Sequence, residues 1–188
     1  MIRYKPDIRG GSSNRPEGKR VQRALALPKG LGWNVPVSRD LLCSPALTVC
    51  PQYARQALDG IMFELAQHAG KTNGELIVPY ADLVRRGMRR ASIKLGLVIL
   101  EAVGIIAARR DPRIGAMKEP TLYRLTFFGT PDGLTATDEW RAIKTVEEAD
   151  TRICNAIERL EQDRERVRKA RTRRNAAPNR ATSTREAA

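Results

Sequence analysis

Residues 73–110, NGELIVPYADLVRRGMRRASIKLGLVILEAVGIIAARR, decide how this chain folds. Glu75-Leu76-Ile77-Val78 is a short β-prone run. Pro79 then opens a brief helix through Arg86 that Gly87 stops, and a second helix is expected from about Arg90 to Val103. Ile93, Leu97, Leu100 and Val103 recur at helical spacing and define its core face. Gly104 ends that helix, and Ile105 to Arg109 reads as a strand.

Upstream, Pro45 and Pro51 mark two helix starts. Tyr53, Ala54, Ala57, Leu58, Ile61, Met62 and Leu65 give the second of them a long apolar face, ended by Gly70 and Asn73-Gly74. Downstream, Leu122 to Phe127 is a second strand, joined to the first by an irregular basic tip. The expected class is α+β, mainly α with a small β-hairpin. Residues 38–130 form the folded unit, 131–144 a linker, and 145–175 a long basic helix carrying the stripe Val146, Ala149, Ile153, Ile157, Leu160 and Val167. Residues 1–37, with eight Lys/Arg against two Asp/Glu, read as a flexible basic arm, and 176–188 as a disordered tail.

The 188 residues hold 34 Lys+Arg and 21 Asp+Glu, a formal net charge of +13, which makes polyanions the first partners to consider. No run approaches the roughly twenty apolar residues of a membrane helix. The N-terminus lacks the apolar stretch of a secretory signal, so the expected location is cytoplasmic and nucleoid-associated. Cys43, Cys50 and Cys154 form no CxxC pair, and His68 is the only histidine, so no metal site and no cofactor are expected. Cys43 and Cys50, seven apart, read as two small apolar residues on one helical face. His68 has no nucleophile or base pattern around it, and no enzyme or small-molecule ligand is indicated. Trp33 and Trp140 read as packing anchors flanking the domain, since base-stacking proteins interleave aromatics with cations and only 5% of this chain is aromatic.

The element order is that of a winged helix-turn-helix domain, and the residues sharpen it. Ser44-Pro45-Ala46, Ala54-Arg55 with Leu58-Asp59, Asn73-Gly74 with Leu76 and Val78, Gly87 with Arg90, Val103-Gly104-Ile105-Ile106, and Pro120 with Tyr123-Arg124-Leu125-Thr126 occur in sequence. In this the chain resembles a group of winged helix-turn-helix DNA-binding proteins of alphaproteobacteria, many carried on plasmids, phages or integrated elements. The resemblance spans about half the chain and implies double-stranded DNA as partner, with the third helix in the major groove. The chain departs from the pattern at Val98 and Ile99, where polar residues are usual, and in a shorter wing loop. The two apolar residues suggest a partner surface or contact with the C-terminal helix.

Arg85, Arg86, Arg89, Arg90, Ser92 and Lys94 cluster at the turn and start of that third helix, where side chains meet phosphates and base edges. Arginine can grip guanine O6 and N7 with its fork, while lysine and serine suit phosphates. Arg109, Arg110, Arg113 and Lys118 put charge on the wing. The alternative for each group is plain solvation or, on the hairpin, protection against edge pairing. From Arg164 to Arg185 nine Lys/Arg and one acidic residue suit a phosphate backbone or a solubilising end. The leading expectation is a transcriptional regulator. The alternatives are a replication-initiation or DNA-transfer accessory protein and a protein-interaction module on the same fold. The stripe on the last helix either supports a homodimer or folds back on its own domain.

Overall fold

Two serines start the first two helices by the same device. In α1 (Arg39–Leu42) Ser38 Oγ accepts from Leu41 N at 3.2 Å, and in α2 (Pro45–Thr48) Ser44 Oγ accepts from Leu47 N at 3.2 Å. Ser44 Oγ also donates to Leu41 O at 2.7 Å, so one buried hydroxyl joins both turns. The structure, a computed structural model, describes residues 34–110 and 120–176. Trp33, Arg113 and Lys118, the arm before residue 34 and the tail after 176 lie outside the described residues. Because α1 stops at Leu42, the spacing of Cys43 and Cys50 does not count out two turns of one helix. Cys43 is exposed and Cys50 buried, which corrects the expectation of a shared face.

Pro51 precedes α3 (Gln52–Gln67), whose Ala54, Ala57, Leu58, Ile61 and Leu65 enter the core. Arg55, in its first turn, closes the end of α2: Nη2 donates to Leu47 O at 2.8 Å and Nε to Cys50 O at 3.1 Å. After α4 (Tyr80–Arg85) the chain turns through Gly87 into α5 (Arg90–Ala102), which crosses α3. The crossing is closest at Gly96, where a Cβ would stand 3.0 Å from Tyr53 O and 3.3 Å from Ala54 Cα. Both obstacles are backbone, so glycine is what allows the two helices to meet at this depth.

Strands β1 (Ile106–Arg109) and β2 (Leu122–Leu125) pair antiparallel with Ile106 opposite Leu125 and Arg109 opposite Leu122. Leu76 adds a bridge to Tyr123 on the other edge of β2, with N–H to O distances of 2.8 and 3.2 Å. Of the β-prone run 75–78, only Leu76 pairs. The described residues are therefore mainly helical with one small two-stranded antiparallel sheet.

Residues 131–144, expected as a linker, belong to the packed unit. Thr137 N and Asp138 N donate to Thr126 O at 2.8 and 3.0 Å, and the 3-10 helix Glu139–Ala142 buries Trp140, with Ile143 following it into the core. Trp140 Nε1 finds Asp138 Oδ1 at 3.0 Å, which satisfies the indole as the anchor role requires. The long helix α6 (Val146–Ala176) begins at Thr145, whose Oγ1 accepts from Glu148 N while Glu148 Oε2 accepts from Lys144 N. It packs on α5 and α2 through Ala149 and Ile153, so this part of the stripe folds back on its own domain. Ile99 is fully buried in the same core. Of the two readings of that position, a partner surface or contact with the C-terminal helix, its burial rules out an exposed surface at Ile99, and α6 packs on α5. Beyond Leu160 the helix outlasts the core, and Val167 is 68% exposed.

Candidate nucleic-acid interface

The start of α5 is positively charged on three counts. Arg89 occupies the N-cap position, with φ −71° and ψ 128°, and no side chain caps the helix. Its first N–H groups therefore keep hydrogen-bonding capacity, and the helix dipole places partial positive charge there. Arg89, Arg90 and Lys94 are exposed, and among the described residues none of them has an ion-pair partner. Arg90 and Lys94 stand one turn apart on the same face, where like charges repel by roughly 0.2–0.5 kcal/mol. Ser92 is half-buried beside them, its N–H donating to Arg89 O at 2.9 Å.

The neighbouring cations are engaged. Arg85 Nη1 donates to Asp82 Oδ1 at 2.7 Å, one turn back along α4. The Arg86 guanidinium lies 3.5 Å from the centroid of the Phe63 ring, a stacked cation on an aromatic that is 42% exposed. Arg110 grips Glu101 with both terminal nitrogens, at 2.9 and 2.6 Å. Arg109 is exposed at the end of β1. Exposed ion pairs contribute roughly 0–1 kcal/mol, so exchanging the Asp82 or Glu101 carboxylate for a phosphate would cost Arg85 or Arg110 little.

Of the ten residues singled out in sequence, the eight that are described divide into three groups. Arg89, Arg90, Ser92 and Lys94 come together at one helix start. Arg85 and Arg86 belong to the end of α4 and the turn after it, and Arg109 and Arg110 stand at the loop end of the hairpin. Sequence reasoning missed Phe63 as the platform for Arg86, although its place off the apolar face of α3 marked it as an outward aromatic. The Arg85–Asp82 pair carried a legible i,i+3 signal. Glu101 and Arg110 are nine residues apart, on either side of the helix end at Gly104 and of β1, a separation that no i,i+3 or i,i+4 spacing marks as a pair.

Further along, the exposed part of α6 carries Arg166, Arg168 and Lys169 paired to Asp163 and Glu165, at 3.7, 3.0 and 3.6 Å. No acidic residue follows Glu165 within the described helix, so its positive charge grows toward the end. Among the described residues no three His, Cys, Asp or Glu side chains lie together as a metal ion requires, and no helix is long and apolar enough to cross a membrane. Comparison with family models, curated proteins and solved structures returned no match.

Proposed function

We propose that this chain is a double-stranded DNA-binding protein with a winged helix-turn-helix domain, acting as a sequence-directed transcriptional regulator. In this reading α4 and α5 are the two helices of the motif, α5 enters the major groove, and the β1–β2 hairpin approaches the flanking DNA. The observation that carries it is the group Arg89, Arg90 and Lys94. These three exposed cations, without carboxylate partners among the described residues, stand at an uncapped helix start, while Arg85, Arg110 and Arg124 are matched to Asp82, Glu101 and Glu139. Solubility needs charge, but it does not need adjacent like charges left unmatched at one point. A polyanion relieves that repulsion, and arginine at a helix start in the major groove has the geometry to address guanine.

The supporting architecture fits the role. The Gly96 crossing fixes α5 against α3, and α6 packs on α5 as well, so the reading surface stands on a rigid base. Selection of duplexes from a random-sequence library by the intact chain tests the proposal. Enrichment of one motif is the expected result. A library that emerges without sequence preference would leave a polyanion-binding or protein-interaction role in its place.

A further inference from the structure

The outward face of α5 is not uniformly polar. Ala91 and Lys94 are exposed and Val98 is half-buried, on the side of the helix away from Ile93, Leu97 and Leu100, which fill the core, while Arg90, in line with Leu97, is exposed at the first position of the helix. Val98 and Ile99 are adjacent in sequence, yet the fold treats them differently. Ile99 is consumed by the core, whereas Val98, one turn on from Lys94, keeps part of its surface toward solvent. Ala91 and Val98 are seven residues apart, two helical turns, and therefore lie nearly in line about 10 Å from one another along the axis.

Resting on the DNA reading above, we infer that Ala91 and Val98 are specificity determinants that take thymine C5-methyl groups. The partner is thus a duplex with thymines within the site that α5 covers. The argument is one of matching chemistry. Every base pair offers hydrogen-bond donors or acceptors in the major groove, but the thymine methyl is its one apolar feature. An apolar pair flanked by Arg90 and Lys94 cannot answer a donor or acceptor. It gains by excluding water from a methyl, while the cations hold the backbone and guanines beside it.

The experiment starts from the duplex that the intact chain selects from a random library. Each thymine in it is replaced singly by deoxyuridine, which removes the methyl and leaves every hydrogen-bonding group. Affinity should fall about three- to tenfold at one or two positions, in keeping with the loss of one buried methyl. Val98→Ser should abolish the loss at one of those positions, and Ala91→Ser at the other, since each puts a hydroxyl where the methyl would pack, and circular dichroism checks that both variants stay folded. An enriched motif that tolerates uracil everywhere overturns the inference while leaving DNA recognition intact. So does a uracil effect that survives in both variants. A selection without any motif overturns the DNA reading and this inference with it.

Discussion

Asn73 and Leu125, 52 residues apart, exchange two hydrogen bonds: the Asn73 amide Nδ2 donates to Leu125 O at 3.0 Å and its Oδ1 accepts from Leu125 N at 2.8 Å. A side chain here takes the place of a neighbouring strand at the end of β2. The same Nδ2 donates to Phe128 O at 2.7 Å, and the residue is buried. This amide thus ties the segment after α3 to the segment after β2, which fixes the hairpin on the helical core. Asn73→Ala would leave the Leu125 N–H and carbonyl without these partners. We expect a loss of about 2–4 kcal/mol, from the usual cost of stranding buried polar groups. Urea unfolding followed by circular dichroism measures it, and a change below about 0.5 kcal/mol would show that the amide does not hold the hairpin.

Ile153 distinguishes a helix that braces its own domain from one that holds two chains together. It joins Ala149 in the core that also contains Ile99. Ile153→Asp places an unpaired carboxylate there and should lower the unfolding midpoint strongly at every protein concentration. Ile157→Asp, at a half-buried position one turn on, should act in the same direction but less. Sedimentation of both variants checks the alternative. A folded Ile153→Asp chain that only drops from dimer to monomer would contradict the bracing role.

Removal of residues 164–188 should leave the domain folded, because Leu160 is the last strongly buried residue of α6 among the described ones. It should weaken binding to all duplexes about equally. Each lost phosphate contact reduces the slope of log affinity against log salt by roughly 0.9. Titrations at several salt concentrations read that slope. Loss of the preferred site with unchanged non-specific binding would make the tail a reader of sequence.

Burial pushes the Cys50 thiol up to about 11, against an ordinary value of 9.0, with Arg55 opposing the shift. Cys43 and Cys154 are exposed. A thiol reagent at pH 8 should therefore modify two cysteines in the native chain and the third only on unfolding. The sign for stability follows from the raised value. The neutral thiol is favoured in the fold, so its contribution is intact below pH 9 and is lost as pH rises toward 11. Tyr123, raised by burial to about 12, adds to the same alkaline loss, over a higher range that starts from its ordinary value of 10.0. Unfolding midpoints between pH 8 and 11 should fall, and Cys50→Ala should flatten the early part of that fall.

The elements legible in sequence are those whose signals are local. Proline starts at Pro45 and Pro51, the stop at Gly87 and the period of Ile93, Leu97 and Leu100 act within a few residues, and the helices stand close to where those signals set them. The candidate site was legible as a cluster of arginines, but which of them are matched was not. Arg110 meets Glu101 across a chain reversal, and Arg86 meets Phe63 across two helices. The burial of Ile99 and of Ile143, the latter in a stretch with a linker's composition, has no local signal either, whereas Trp140 reads from sequence as a packing anchor and packs as one. Asn73 was read for its turn preference, whereas its amide is spent on a distant backbone.

The affinity of Arg90→Ala for the selected duplex and for a scrambled duplex of equal length, measured side by side at fixed salt, tests the central claim most directly. Arg90 is exposed at the first turn of α5, so its removal leaves the core untouched. If α5 reads the major groove, the selected site should lose about 1–3 kcal/mol, roughly five- to 150-fold, while the scrambled duplex changes far less. Equal affinity of variant and parent for both duplexes would contradict the account.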